Sequence, residues 1–480
     1  MILRDPVHGL VAFERGAEAA IPALLDTPEL QRLRRVRALG VASLAFPGAE
    51  HSRFAHAVGA AHVMCRFLER VAPLAAALGA PLTEQDRADA LAAALVHDVG
   101  HGPLSHLFED VFEGMPAHEL WTSAAVLDPG TGLHRALAAI DADMPSRVER
   151  LVHGVHPAPF LARAVSGTFD VDRCDYLLRD SYMTGTRYGL YDLDWLLRSL
   201  RLEPSPEGAR LAVDGDKGLP AVEGYFLARL FMYQQVYFHK ATRSAEAGLR
   251  ALFRRVGDLI HEGSTPAGTP APIEAFALGR RVSTAEYLTL DDHGFWRAVS
   301  AWSESRDRVL ADLARRSLER DLFKTAPIDE IDASAEPELV EALSEVVAAA
   351  GFEPRYYVAL DRAEVSPYER PRAEGEALTV VRPRRAAQPL EEASFIIGRL
   401  AGSSFVRRRL VFPGEARDAV ESMLARLARS ALTNSLGPWS VEDDVELHAE
   451  RCIALPSCSS RPRPSRCPRA PSPPRRRPWP

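Results

Sequence analysis

A stretch of apolar helix that ends in a histidine–aspartate pair constrains this chain more than any other part of its sequence. In PLTEQDRADALAAALVHD (81–98), Thr83 is a candidate N-cap, and Asp86 three residues on completes a capping box in its weaker aspartate form. Ala88, Leu91, Ala92, Leu95 and Val96 supply an apolar face, so this helix is destined for a core. Gly100, Gly102 and Pro103 then stop it directly after His97 and Asp98. Such groups are costly to bury unless something satisfies their charge. Either the pair is an incidental polar helix end, or it holds something charged.

Helical periodicity dominates from about residue 20 to about residue 260. The pattern predicts helices over roughly 54–72, through DRCDYLLRDSYM (172–183), and as one long element over 221–260. GSTPAGTPAP (263–272) is a loop by composition, and more helices follow to about residue 325. RYYVALDRAEV, ALTVVRPRR and SSFVRRRLVF, between 353 and 412, read instead as short strands with polar breaks. The expected fold is mainly α. A large helical domain (1–330) precedes a smaller α+β region (331–445) and a disordered Arg/Pro-rich tail (446–480).

Composition excludes several classes. The 480 residues are 46% hydrophobic and 26% charged, as in an ordinary globular protein, and no apolar run approaches the ~20 residues of a membrane span. MILRDPVHGL lacks the basic-then-apolar pattern of a secretory signal. The five cysteines have no paired-ligand spacing, which points to a reducing cytoplasm and away from a disulfide framework or zinc knuckle. A net charge of −7 gives no overall attraction to nucleic acid. From Arg451 onward there is no acidic residue, which makes the tail a candidate element for binding nucleic acid or an acidic surface.

Groups able to converge with His97 and Asp98 are at hand. FPGAEHSRFAHAVGAAH offers His51, His56 and His62, and GTFDVDRCDYLLRD offers Asp170, Asp172, Asp175 and Asp180. Two imidazoles with two carboxylates suit a divalent ion such as Mn²⁺, Fe²⁺, Mg²⁺ or Zn²⁺.

The flanking text is more specific. DPVHG, DTPELQRLRRVRALG, FPGAEHSRFAHAVG, HDVGHGPLSHLFE, FDVDRCDYLLRD and RDLFK occur in the order and spacing of one branch of the HD-domain phosphohydrolases. From about residue 4 to 325 the chain resembles the deoxynucleoside triphosphate triphosphohydrolases related to the sterile-alpha-motif-and-HD-domain protein. The resemblance implies that His56, His97, Asp98 and Asp172 are metal ligands and that Arg53 touches a phosphate. It implies that His101 and His118 lie near the scissile phosphate, with His118 protonating the leaving oxygen and Glu109 orienting its ring. Arg173, Tyr176, Arg229 and Tyr237 match phosphate- and sugar-contacting positions, and Asp180 matches the carboxylate that reads the sugar 3′-hydroxyl. His51 is the alternative to His56, which only the RFxH spacing selects.

Asp26, Gln31 and Arg34 match positions that read a guanine effector, and Lys217, Arg320 and Lys324 match effector-phosphate contacts. The resemblance thereby implies a homo-oligomer, dimer or tetramer, assembled or activated by a nucleotide. The bland alternative is that QRLRRVR is a solvated basic helix face. Two positions depart from the family pattern: Ala38 stands where a glutamine contacts the sugar, and Phe238 where a glutamine lies along the base. The expected activity is metal-dependent hydrolysis of a deoxynucleoside triphosphate. The alternatives are hydrolysis of another phosphoester (a nucleoside monophosphate, a modified nucleotide or single-stranded nucleic acid) and nucleotide sensing without catalysis.

Overall fold

In the computed structural model, residues 1–14, 16–205, 208–368 and 378–435 are described, with side chains to residue 427. The expected tail, 446–480, lies outside the described residues. Met1–Ala425 forms one compact unit; of the second, Arg426–Pro480, the backbone is described as helix to residue 435.

The first unit is mainly α, with small sheets. At its centre is the helix Arg53–Ala77, buried along most of its length and packed against the helices Glu84–Val96 and Val171–Thr184. Its N-cap is Ser52, whose hydroxyl accepts from the Ala55 amide. Thr83 and Asp86 form the full reciprocal capping box that starts Glu84–Val96, and that helix ends at His97. Asp170 caps Val171–Thr184 by accepting from Arg173 N at 2.8 Å, and Gly185, at φ 72°, ends it in the left-handed region. A second core gathers around Lys240–His261, Asp292–Trp302 and Arg308–Glu319.

The described strands are β1 (Ile2–Asp5), β2 (Gly9–Ala12), β3 (Leu200–Ser205), β4 (Gly208–Asp214), β5 (Lys324–Pro327), β6 (Ala359–Val365), β7 (Thr379–Val381), β8 (Gln388–Pro389) and β9 (Phe405–Phe412). β1 and β2 pair as an isolated antiparallel hairpin with Asp5 opposite Gly9. β5, β9 and β6 make an antiparallel sheet in that order. β7 pairs parallel to β4 and antiparallel to β8, so a strand from the C-terminal portion completes a sheet begun by the β3–β4 hairpin.

The long element expected over 221–260 is two helices, Leu219–Met232 and Lys240–His261. Between them Tyr233–Tyr237 widens into a π turn, a form that recurs at functional sites. His239 is extended, and its Nδ1 accepts from Ala241 N to start the second helix. The basic segment QRLRRVR is also not a uniform solvated face. Arg32 is 2% exposed and donates to the carbonyls of Leu290, Val99 and His101 at 2.8, 3.2 and 2.7 Å.

Those bonds fix the turn after the His97–Asp98 pair. Thr122, on the helix His118–Leu127, accepts from Gly100 N at 3.0 Å and donates to His97 O at 2.9 Å. A Cβ at Gly100 would lie 2.1 Å from His118 O and 2.3 Å from Thr122 N, both backbone atoms. Gly100→Ala should therefore destabilise the protein by about 1–3 kcal/mol, the usual cost of overpacking. Urea denaturation measures it, and an unchanged midpoint would mean that the two segments are not in this contact.

Candidate active site

Each of the residues expected to hold a metal is delivered by the end of a helix. His56 lies in the first turn of Arg53–Ala77, His97 and Asp98 at the C-terminal end of Glu84–Val96, and Asp172 in the first turn of Val171–Thr184. His56 Nε2 is 3.0 Å from Asp172 Oδ1, and His97 Nε2 is 3.5 Å from the same oxygen. One ligand atom from each of His56, His97 and Asp172 lies within 4.8 Å of the others. Asp98 stands beside them, its Oδ1 3.3 Å from His97 Nε2 and its Oδ2 3.7 Å from His56 Nε2.

This donor set fits a divalent cation. His97 Nε2 is buried and has no hydrogen-bond partner, an expensive arrangement for a nitrogen with nothing to bind. Its Nδ1, 3.0 Å from Ala94 O, carries the proton, so the free atom is a lone-pair donor in the neutral ring. His56 is fixed likewise, with Nδ1 2.8 Å from Asp175 Oδ2. Burial opposes charge on His56, but the carboxylates of Asp172 and Asp175 outweigh it and raise the pKa to about 10. His97 is also raised, burial being outweighed by Asp98 and Asp172.

Arg53 donates to Asp98 Oδ2 and, from Nε, to Ser105 Oγ at 2.9 Å. His101 is almost fully buried, with Nε2 3.3 Å from Asp98 Oδ1, and its ring stacks on His118 at a centroid separation of 3.7 Å. Burial and the neighbouring Arg53 hold His101 well below the usual histidine pKa, so it is neutral. Glu109 Oε1 is 3.1 Å from His118 Nδ1 and 2.9 Å from His106 Nδ1. Although burial opposes it, these imidazoles keep Glu109 well below the ordinary carboxylate range. His106 was not among the residues singled out as catalytic. Its signal was the HGPLSH text itself, since the same turn carries His101, His106 and Glu109 to one spot.

The residues expected around phosphate and sugar form two facing stripes. Asp172, Tyr176 and Asp180 recur every four residues along one helix face, and Arg229, Tyr233 and Tyr237 recur likewise into the π turn. Tyr237 donates its hydroxyl to Asp180 Oδ2 at 2.7 Å, and the rings of Tyr176 and Tyr237 are 6.4 Å apart. His51 Nε2 lies 2.9 Å from Asp180 Oδ1, which places His51 on this side and away from the metal-type donors. Arg229 is buried and donates Nη1 to the carbonyls of Ser366 and Pro367 at 3.0 and 2.9 Å, while its Nε has no partner. Arg173 donates to Asp170 and to the Gly167 carbonyl. Phe238 is turned into packing against Phe405, Ala363 and Val365.

The residues expected to bind an effector fall in three separate places. Gln31 accepts from Arg34 Nε at 2.7 Å, Arg34 lies over the Phe54 ring, and Asp26 is exposed nearby in sequence. Lys217 is exposed in the turn after β4. Arg320 donates to Leu44 O at 2.7 Å, and Lys324 opens β5.

The HD domain family matches residues 53–130. The chain is 33% identical over 418 residues to the uncharacterized protein YwfO of Bacillus subtilis (strain 168), covering 86% of this chain and 92% of that one. It is 27% identical over 375 residues to the deoxynucleoside triphosphate triphosphohydrolase SAMHD1 of Danio rerio, covering 70% of this chain and 57% of that protein. A crystal structure of a phosphohydrolase from Bacteroides thetaiotaomicron superimposes with a TM-score of 0.72 at 26% identity, over 86% of this chain and 99% of that one.

Because His56 must lose a proton from Nε2 before that atom can bind a cation, protons compete with metal up to about pH 10. Affinity for Mn²⁺ should rise from pH 6 to pH 8, with protons released on binding. Calorimetry in buffers of different ionisation enthalpy reads both, and an affinity flat over this range would place the metal on other groups.

Proposed function

We propose, from the premise that this chain belongs to the HD-domain phosphohydrolases related to SAMHD1 and is a metal-dependent hydrolase, that its substrate is a deoxynucleoside triphosphate. Deoxynucleoside and triphosphate are the products. One juxtaposition carries the reading. Metal-type donors His56, His97, Asp98 and Asp172 adjoin, across His101, a histidine held by a carboxylate, His118 with Glu109, and one of them, Asp172, shares a helix face with Asp180, which pairs with Tyr237. The name of the Danio rerio relative supports the substrate class.

Bound at those donors, a divalent ion supplies Lewis-acid polarisation and an activated water. Arg53 and Arg229 meet phosphate oxygens, Arg229 through the Nε that lacks a partner. Arg173 joins them by leaving Asp170. Water attacks the α-phosphorus, keeping one proton on the triphosphate and releasing the other to solvent, from which His118 is reprotonated, and the bond to the 5′-oxygen breaks. His118, its Nδ1 proton held by Glu109, gives its Nε2 proton to that oxygen. Neutral His101 packs the His118 ring into place. Asp180 and Tyr237 bind the sugar hydroxyl.

With Mn²⁺ and an equimolar mix of the four dNTPs, purified protein should release triphosphate, and Asp98→Ala should abolish the release. His118→Ala should lower kcat by about 10²–10⁴-fold, the usual contribution of general acid catalysis, and still bind Mn²⁺. No triphosphate from a protein that holds Mn²⁺ would favour a second reading. In that reading the substrate is another phosphoester: a nucleoside monophosphate, a modified nucleotide or single-stranded nucleic acid. Two observations support it: Ala38 has no side-chain hydrogen bond to offer a sugar, and Phe238 packs against Phe405.

Asp26, Gln31, Arg34, Lys217, Arg320 and Lys324 serve, in the same proposal, as an effector site completed between subunits. Saturating dGTP or GTP should then raise the sedimentation coefficient toward that of a tetramer, and an unchanged mass would remove the effector from the proposal.

A further inference from the structure

The hydrogen bonds that fix His56 lead away from the metal-type donors, through Asp175, to the N-terminal hairpin. Asp175 lies in Val171–Thr184 and is fully buried, and both of its oxygens are used twice. Oδ2 accepts from His56 Nδ1 at 2.8 Å and from Arg179 Nε at 2.7 Å. Oδ1 accepts from Arg179 Nη2 at 2.8 Å and from His8 Nε2 at 2.6 Å. Arg179 pairs with both oxygens of Asp175, and a carboxylate so paired can only accept, so His8 Nε2 is the proton donor. Arg179 Nη1 continues to Asp5 Oδ2 at 2.7 Å. Asp5 Oδ1 accepts from the backbone N–H of Val7 and His8, both at 2.9 Å, which shapes the β1–β2 turn around His8.

The helix that carries His56 leaves room for this network. A Cβ at Gly59 would lie 2.0 Å from Asp175 Oδ1 and 2.2 Å from Arg179 Nη2. No catalytic step proposed above uses Asp5, His8, Asp175 or Arg179. Yet the DPVHG turn, Arg179 and Gly59 all serve a single carboxylate, the one behind His56. Arg179 grips both oxygens of Asp175 along one edge, and His56 takes a second place on Oδ2. His8 approaches from the hairpin and fills the matching place on Oδ1, so the carboxylate is held from both ends.

We infer that His8 is a positioning residue of the metal centre: through Asp175 it fixes the ring of His56, so the N-terminal hairpin is a working part of that centre. The inference rests on the metal centre assigned to His56, His97, Asp98 and Asp172. Partners of this kind orient a metal-binding imidazole and set its basicity, and their loss typically costs about 10–100-fold in affinity.

The test uses the full chain. Mn²⁺ dissociation constants come from electron paramagnetic resonance, visible spectra from the Co²⁺-substituted protein, and melting curves from the metal-free forms. His8→Phe keeps a ring beside His62, 5.1 Å away by centroid, and removes the donor. It should weaken Mn²⁺ binding by about 10–100-fold and shift the Co²⁺ bands, while metal-free melting stays close to wild type. His8→Gln restores a donor and should recover most of the affinity, which a merely structural role for the ring would not. Should His8→Phe fail to fold, His8→Leu carries the same expectation. Wild-type affinity and an unshifted Co²⁺ spectrum in the folded variant would overturn the assignment of His8 alone. A wild-type protein that binds no Mn²⁺ would overturn the metal centre, and this inference with it.

Discussion

Arg179 meets Asp175 with two parallel bonds, at 2.7 and 2.8 Å, where the helices Arg53–Ala77 and Val171–Thr184 cross. Neither side chain is exposed to solvent. Such a pair adds little net stability, because desolvation cancels most of the attraction, but removing either partner strands a charge at a cost of about 3–5 kcal/mol. The pair therefore acts as a constraint. It demands a glycine on the opposing helix, a further carboxylate for the last guanidinium nitrogen, and donors for the remaining carboxylate lone pairs. His56 is one of those donors, and the orientation of its ring follows from filling that place.

Around this constraint the imidazoles divide by charge. Carboxylates face both nitrogens of His56, and their attraction exceeds the cost of burial. His101, a few ångströms beyond Asp98, is equally buried but lies next to Arg53, and it stays neutral. A neutral His101 can lie flat against His118, whose Nδ1 faces Glu109 Oε1 at 3.1 Å. Groups of one residue type thus hold different protonation states a few ångströms apart, set by the charges each one faces.

Much of the fold and part of the site could be read in the sequence. The Thr83–Asp86 box and the helix end at His97 are local signals set by neighbouring residues, and the structure carries both. The four-residue spacing of Asp172, Tyr176 and Asp180 places them on one face in any helix. The break near His239 was illegible, because the apolar periodicity runs on through Tyr233–Tyr237 and only the wider turn displaces it. The β1–β2 hairpin, two strands of four residues, is too short to stand out by alternation. Arg32 looks like one charge in a basic run, and its burial depends on carbonyls far away in sequence. The role of Asp175 was hidden for the same reason, since its partners sit on two other segments: His8 in the first hairpin, and His56 on Arg53–Ala77, where Gly59 makes room for it.

The crossing at Gly59 also bears on what counts as the unit of this protein. The stretch that matches the HD domain family, 53–130, holds His56, His97 and Asp98 but neither Asp172 nor Asp175. A fragment trimmed to those borders would keep the signature and lose both Asp172, 3.0 Å from His56 Nε2, and the carboxylate that fixes the His56 ring. It would also bury unpaired imidazoles with nothing to take up their charge. The shortest segment that closes the circuit runs from the first hairpin to the end of Val171–Thr184. The side chains of Asp5 and His8 are turned inward from the hairpin, 6% and 4% exposed, and a proteolytic cut just after them would open the Asp175 network from behind.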